Sequence, residues 1–511
     1  MAAAGNTTQW SSRFAFIMAA VGSSVGLGNL WRFSAEVGNN GGGAFILLYM
    51  VCVLFIGIPV LICEYVIGRA GNASSAVESV ADVSRRSGVS QNWGALAWIG
   101  QVASFLIVAF YCVVAAWVMM YIPKFLGGTF DTLTPDQISG SFGENITNWK
   151  GVFPYFTIFA ILTTLLVARG VNKGIEMTAK VLMPVFFVML IGLAIFGLTT
   201  NFANLAVDST SVVENSRGKT LSYLFSPDFS KITDPNIIVA ALGQAFFSIG
   251  LGSAIMITYG SYLPRSVNIP KSALIVGLTD TGVALIAGLA IFPIIFAFGI
   301  NPGDGGAGLF FISIPIAMQQ IPGGNLIGGA FFFLAIFAAI TSSVSLLEPV
   351  TAYVSEKFKM TKAKAAYAMG ALMWLVGLVS MVNLTALDAF DKNVTGALML
   401  PLCGLLAVLY VGWKMDKKLL DQELEGISQF SKNLLLTLVK FVAPIFVAIV
   451  LGFSFFYRFF KLDTSKIKPE ELAAKLEEFN AIRNTSLIIL AVLIVLAVLM
   501  MVMSKSKSKA A

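Results

Sequence analysis

Ser24-Val25-Gly26-Leu27-Gly28-Asn29 and Ser248-Ile249-Gly250-Leu251-Gly252-Ser253 read almost identically, although they lie in different halves of the chain. Each sits inside an apolar segment long enough to cross a bilayer. Paired glycines weaken a helix at a depth where no water is available to bond the freed backbone groups. Non-helical backbone is tolerated there only where it is buried in protein or lines a cavity. One such flaw could serve packing alone. Two matched flaws predict a pair of broken helices facing one binding site.

The surroundings of the two segments set the class. Of 511 residues, 57% are hydrophobic and 12% are charged, too little charge for a soluble chain of this length. The composition predicts an all-α polytopic membrane protein. Apolar runs of spanning length occur near 13–36, 41–68, 95–123, 151–169, 176–199, 236–262, 271–300, 326–356, 363–383, 393–414, 433–457 and 484–504, which makes twelve transmembrane helices. No cleavable signal is read at the N-terminus, because the first apolar run lacks a basic leader and continues into Asn29 and Arg32.

Lys and Arg collect in the segments that would be cytoplasmic if both termini are, among them Arg69, Arg85, Arg86, Lys357, Lys359, Lys362, Lys364, Lys414, Lys417 and Lys418. The net charge of +7 therefore reports topology, and no nucleic-acid partner is expected. All four cysteines (Cys52, Cys63, Cys112, Cys403) fall within spans, so no disulfide framework is expected. The chain has no histidine, which removes the commonest catalytic base and transition-metal ligand. No nucleophile elbow, metal cluster or phosphate-cradling loop is visible, and an enzyme is not expected.

The first ten spans divide into two sets of five, each beginning with a glycine-broken helix. An odd number of spans per set gives the two copies opposite topology, hence a 5+5 inverted repeat with helices 1 and 6 unwound at the midplane. The expected organisation is a cytoplasmic tail (1–12), a first repeat (13–200), an external polar linker (201–235) with Asp208, Glu214, Arg217 and Asp228, and a second repeat (236–414). Two peripheral helices (433–504) and a basic cytoplasmic tail (505–511) follow.

Ionisable residues inside spans need a reason. Asp280 is the only charge between Ser272 and Ile300. A carboxylate at such depth costs about 2.5–3.5 kcal/mol on insertion scales, so it faces a partner, a cavity or a cation. Arg32, beyond the first break, has Asp391 as its candidate opposite charge. Glu64 and Glu348 need buried donors, which the free amides of a broken helix would supply. Thr341-Ser342-Ser343 place hydroxyls in an otherwise Phe, Ala and Ile helix. Such hydroxyls bond back to their own helix, or join unwound carbonyls in a neutral oxygen cage for a small monovalent cation.

Several stretches together resemble the neurotransmitter:sodium symporter family, and within it the bacterial leucine-transporter-like amino acid symporters. They are Trp10-x-x-Arg13, Gly22-Ser23-Ser24-Val25-Gly26-Leu27-Gly28-Asn29-Leu30-Trp31-Arg32-Phe33 and Asn40-Gly41-Gly42-Gly43-Ala44-Phe45. Gly243-Gln244-Ala245-Phe246-Phe247-Ser248, Thr258-Tyr259-Gly260-Ser261-Tyr262 and Thr341-Ser342-Ser343 complete the set. The similarity is collinear over about residues 10 to 414.

The resemblance implies sodium-coupled uptake of a neutral amino acid by alternating access. The substrate carboxylate would meet the amides near Leu27 and Gly28 and the Tyr111 hydroxyl, with Gly26 beside them. The amino group would face carbonyls of Ser24, Phe247 and Ser248. Ser23, Ile107, Tyr111, Phe247, Gly250, Ser253, Ser342 and Leu346 would wall the side-chain cavity. Two sodium ions are implied, the first at Ser24, Asn29, Ser248 and Asp280, the second at Gly22, Val25, Ala338, Thr341 and Ser342. No organic cofactor is implied. Tyr111 and Phe247 would form an external lid under Arg32, Asp391 and Gln244, and Trp10, Arg13, Tyr262 and Glu356 a cytoplasmic gate. The N-terminal arginine that the family pairs with the acid at Glu356 is absent, its position falling near Thr7.

Departures from the family pattern narrow the expectation. Gly26 replaces the aspartate of monoamine carriers, so the substrate brings its own carboxylate. Ala284 stands where animal members have a chloride-binding serine, and Asp280 would supply the negative charge, implying chloride independence. Gly250 and Ser253 are small, favouring a large hydrophobic or aromatic amino acid. An ω-amino acid such as GABA, or a channel-like or sensor protein on the same fold, stands as the alternative. The expected partners are the amino acid, sodium ions and the bilayer of a bacterial inner membrane; the sequence leaves the oligomeric state open.

Overall fold

The computed structural model describes residues 9–71, 73–202, 215–300, 302, 308–462, 464 and 467–510. Polar residues punctuate the apolar runs and cap the helices they start. Ser12 accepts from Ala15 N–H at 3.1 Å, Asn268 from Lys271 N–H at 2.9 Å and Asp234 from Asn236 N–H at 2.9 Å. The first broken span is α1 (Arg13–Ser24) and α2 (Gly28–Asn39), bent by 54° at the break. It is followed by α3 (Gly43–Ala70), α4 (Gln91–Leu126), α5 (Trp149–Ala168) and α6 (Val171–Thr199). The second broken span is α7 (Pro235–Ile249) and α8 (Ile255–Ser261). Then come α9 (Ile269–Ala297), α10 (Gly324–Lys357), α11 (Lys362–Val382), α12 (Leu384–Trp413), α13 (Gln429–Phe459) and α14 (Pro469–Val498).

Among the described residues ten helices are long and apolar enough to cross a membrane, or eleven with α1 and α2 counted as one span. The expected twelve falls short only at 236–262, where the second break leaves two pieces that are each too short. The helix of α12 begins at Leu384 and not near 393, and its first part is π-helical over Ala389–Met399. The charges Asp388, Asp391 and Lys392 line a cavity from within this helix. The linker carries a short helix, Ser216–Phe225; Asp208 and Glu214 lie outside the described residues. The final helix continues through residues 505–510, the stretch expected as a basic tail.

Packing follows the repeat. Helix α4 packs on α10, α5 on α11, and α3 on α9, each pair joining equivalent members of the two sets. The exchanged contacts also match: α3 packs on α7 and α8, and α9 packs on α1 and α2. The most hydrophobic window of α10 is 83% buried and that of α4 78%, whereas that of α14 is only 6% buried. Thus α4 and α10 form the central pair and α14 is peripheral. The two breaks lie against this central pair.

Candidate functional site

The two breaks are built differently. After α1 the chain extends at Val25 (φ −73°, ψ 103°), and Gly26 N–H donates to Asn29 Oδ1 at 3.1 Å. After α7, Gly250 turns left-handed at φ +74°, with Gly250 N–H bonding Phe247 O and Leu251 N–H bonding Phe246 O, both at 3.1 Å. That pattern is a Schellman stop, which satisfies the last carbonyls of the helix. Gly252 (φ +76°) passes so close to the Leu400 carbonyl oxygen of α12 that a side chain there would collide. Its N–H donates to Glu64 Oε1 at 2.7 Å. The need for a buried donor at Glu64, read from the sequence, is met by the broken helix itself.

Asp280, fully buried on α9, joins the two breaks. Asn29 Nδ2 of α2 donates to Asp280 Oδ1 at 2.8 Å, and Ser248 Oγ of α7 donates to Asp280 Oδ2 at 2.5 Å. Asn29 Nδ2 also reaches Ser248 Oγ at 3.1 Å. Ser24 Oγ donates to the Ile249 carbonyl at 3.1 Å, linking α1 to the end of α7. The four residues expected around a first ion therefore converge. Sequence reasoning missed a fifth: Tyr49 OH donates to Ser248 Oγ at 3.3 Å and Asp280 Oδ2 at 3.4 Å. A buried tyrosine hydroxyl needs a partner, and that requirement was the available signal inside the apolar run of α3. Among the described residues the side-chain partners of Asp280 are all neutral, so its charge has no counter-ion there.

The second expected oxygen set also gathers. Ser342 Oγ donates to the carbonyls of Ser23 and Val25 at 3.3 and 3.5 Å, while Thr341 Oγ1 bonds back to Phe337 and Ala338 at 3.2 and 3.1 Å. Gly22 faces Thr341, whose Cβ lies 3.3 Å from the position a Gly22 side chain would take. Thr341 bonds its own helix, and Ser342 bridges to the carbonyls of the break. Among the described residues no group of three His, Cys, Asp or Glu could hold a metal. Neutral oxygens with one carboxylate suit a small monovalent cation better than a divalent one.

A cavity of about 470 Å³ opens beside the breaks and reaches exposed Lys392. Leu27, Gly28, Tyr111 and Phe247 line it, as do Arg32, Glu36, Asp388, Asp391 and Arg458. Leu27 N–H meets the Tyr111 hydroxyl at 3.4 Å, and the Phe247 ring lies against Gly28, 2.8 Å from where a Cβ would sit. A side chain at Gly26 would come within 2.6 Å of Ser342 Oγ, so that hydroxyl would have to turn away from the break. Ile107, Ser253, Ser342 and Leu346 are buried and do not line this cavity. Tyr111 and Phe247 therefore mark its inner boundary. Ser23 Oγ is buried without a partner, and the space where a Gly250 side chain would project is open. Ser253 has a structural task as well, donating to Gly250 O at 2.5 Å.

The gates differ from expectation. Arg32 does not pair with Asp391: it stacks on Phe247, 4.1 Å from the ring centroid, and the two charges share the cavity without an ion pair. The open cavity separates them. Gln244 Nε2 reaches Gly28 O at 3.5 Å. At the opposite face, which carries the N-terminal segment, Trp10 Nε1 donates to Tyr259 O and Trp10 N–H to Tyr262 O, both at 3.1 Å. Tyr262 OH donates to Glu348 Oε1 at 2.7 Å, and Lys362 pairs with the same oxygen. Among the described residues Glu356 is bonded to the loop that precedes the helix Ala76–Arg86. It accepts from Ser75 N–H at 2.9 Å and Ser74 N–H at 3.4 Å, at the N-terminus of the helix Ala76–Arg86, where a negative charge is favoured. Two guanidinium nitrogens of Arg13 are buried without partners, and Thr7 lies outside the described residues.

Comparison with known proteins agrees with this geometry. The model of the sodium:neurotransmitter symporter family matches residues 7–133 and 141–508. The chain is 36% identical over 456 residues to the uncharacterized sodium-dependent transporter YhdH of Bacillus subtilis, covering 86% of this chain and 96% of that one. It is 33% identical over 464 residues to an uncharacterized sodium-dependent transporter of Haemophilus influenzae, with the same two coverages, 86% and 96%. Among solved structures, that of MhsT in complex with L-phenylalanine aligns with a TM-score of 0.78 at 36% identity, over 88% of this chain and all of MhsT.

Proposed function

Because the chain belongs to the sodium:neurotransmitter symporter family, we propose that it couples the inward sodium gradient to uptake of a neutral amino acid by alternating access. The observation that carries this reading is Asp280, a buried carboxylate with neutral partners held between both helix breaks. A cation supplied from solution would neutralise it, and the same cation would attract a substrate carboxylate to the amides of Leu27 and Gly28. The first sodium ion would then bind at Ser24, Asn29, Ser248 and Asp280, with Tyr49 as support. The second would bind at Gly22, Val25, Ala338, Thr341 and Ser342.

The substrate is a large hydrophobic or aromatic amino acid. Open space at Gly250 and the L-phenylalanine bound to the 36%-identical MhsT favour it. Transport is independent of chloride: Asp280 is a fixed negative charge, and Ala284, one turn along α9, offers no hydroxyl. The N-terminal face is cytoplasmic, in keeping with the basic residues there. The conformation described is then outward-facing, since the cavity lies opposite the N-terminal segment.

Purified protein in proteoliposomes tests the proposal. Phenylalanine, leucine and tryptophan should accumulate against a gradient when sodium is high outside, and GABA should not. Uptake that survives replacement of sodium by choline or potassium would refute the coupling. Accumulation of GABA alone would transfer the reading to an ω-amino acid carrier, and flux far above carrier turnover would mark a channel.

A further inference from the structure

Glu176 closes the π-helical turn Val171–Glu176 at the start of α6, with its side chain 4% exposed. Four donors converge on its carboxylate. Two come from the N-terminal segment: Ser11 N–H at 3.1 Å and the Ser11 hydroxyl. Two come from its own helix: Lys180 Nζ at 2.6 Å and Asn172 Nδ2 at 3.1 Å. Lys180 Nζ also reaches Ser11 Oγ at 3.0 Å, and Asn172 Nδ2 reaches Gln9 O at 3.0 Å.

Residues 9 and 11 are therefore fixed to α6, in the first repeat. Trp10 between them is fixed to α8, in the second repeat, through its bonds to Tyr259 and Tyr262. The segment straps one repeat to the other across the N-terminal face. Glu356, expected in the cytoplasmic gate with Trp10, Arg13 and Tyr262, bonds to Ser74 and Ser75. The anchoring end of α6 is also locally irregular. Gly170 is left-handed (φ +79°), and Gly174 packs so tightly on the Leu166 carbonyl oxygen that a side chain would collide. A π turn inside a helix is rare and commonly marks a functional site.

We propose that Glu176, with Lys180 and Ser11 as its partners, is the clamp that holds the cytoplasmic mouth shut, and that its release frees α6 from the N-terminal segment. The clamp takes the place of the missing arginine–glutamate pair. A carboxylate buried this deeply is stable only while its charge-assisted bonds are complete. Loss of one partner therefore weakens the whole set, and the clamp opens as a unit. Glu176 and Lys180 are positioning residues, since neither touches a proposed substrate oxygen.

This inference rests on the alternating-access reading, but its test does not require transport. Thr258 on α8 is fully buried beside Tyr259. A Thr258→Cys reporter in inside-out vesicles reacts with a membrane-impermeant methanethiosulfonate only when the mouth opens. Adding Glu176→Gln, which keeps size and loses charge, should speed modification at least about tenfold, equivalent to ~1.4 kcal/mol on the closed–open equilibrium. Lys180→Met should act in the same direction, and Glu176→Asp should restore most of the protection. Glu356→Gln should leave the rate at the parent value. Parent-like rates for both Glu176→Gln and Lys180→Met, or acceleration by Glu356→Gln alone, would overturn the clamp. If Glu176→Gln does not fold, Lys180→Met and Ser11→Ala decide by the same readout. A parent without sodium-coupled uptake would refute the symport reading, whatever the modification rates show.

Discussion

Replacing Asp280 by Asn separates the charge of the site from its shape. The amide is isosteric and keeps an oxygen for Asn29 Nδ2, now 2.8 Å from Asp280 Oδ1. Its NH2 group faces Ser248 Oγ and Tyr49 OH, hydroxyls that donate to the carboxylate at 2.5 and 3.4 Å and can rotate to accept. The hydrogen-bond frame between the two breaks is therefore retained, and the full negative charge is what disappears. At an effective dielectric constant near 20, a unit charge about 4 Å away is worth about 4 kcal/mol. Sodium gives up part of its hydration to enter the site, and that desolvation cost offsets part of the attraction. Loss of the charge should leave a net penalty of about 2–3 kcal/mol on sodium binding, or about 30- to 150-fold in affinity.

The sodium-free variant should be as stable as the parent or more so, because an uncompensated buried charge has been removed. Thermal unfolding in detergent, with sodium titrated against choline at constant ionic strength, reads both effects, since a ligand stabilises only the state that binds it. The expected result is a raised baseline melting temperature and a sodium midpoint shifted by one to two orders of magnitude. An unchanged sodium midpoint would refute the assignment of Asp280 to the ion.

Asp280→Asn combined with Ala284→Ser should make uptake depend on chloride, measured as chloride against gluconate; indifference in the double variant would refute the charge-substitution argument. Tyr49→Phe removes two long hydrogen bonds of 3.3 and 3.4 Å, worth about 0.5–1.5 kcal/mol together, and should raise the sodium midpoint about 2- to 10-fold in the same titration. An unchanged midpoint would reduce Tyr49 to packing. Gly252→Ala forces a left-handed residue, costing about 1–2 kcal/mol, onto the Leu400 carbonyl oxygen. It should lower the melting temperature clearly more than Gly192→Ala, which has open space around it, and equal stability of the two would contradict the packing described.

The parts of this architecture that the sequence discloses are those where a residue type has few physical options. Glycine pairs inside apolar runs disclose both breaks, and Asp280 and Glu64 disclose buried partners, because lipid leaves the backbone and the carboxylate no alternative. Glu356 shows the opposite case. Its acceptors are satisfied by two backbone amides, Ser74 and Ser75, and amides carry no mark in a sequence. Tyr49 reads as one more aromatic residue until three helices bring Ser248 and Asp280 to its hydroxyl. The apolar run from 393 marks the start of α12 too late because Asp388, Asp391 and Lys392 interrupt it, and these are helical residues that line the cavity. Charge tells of solvent contact, but not of which side of the protein the solvent lies on.

The unequal construction of the two breaks has a mechanical consequence. Through the first, Val25 and Leu27 keep negative φ values (−73° and −58°), so re-winding α1 into α2 requires mainly a rotation of ψ at Val25. Through the second, Gly250, Gly252 and Ala254 all have positive φ (74°, 76° and 59°), and all three would have to change hand before a helix could form. The fold thus pairs a compliant joint with a rigid one. Strain applied between the repeats concentrates at Val25–Leu27, and the second break acts as the fixed anvil against which the first one flexes.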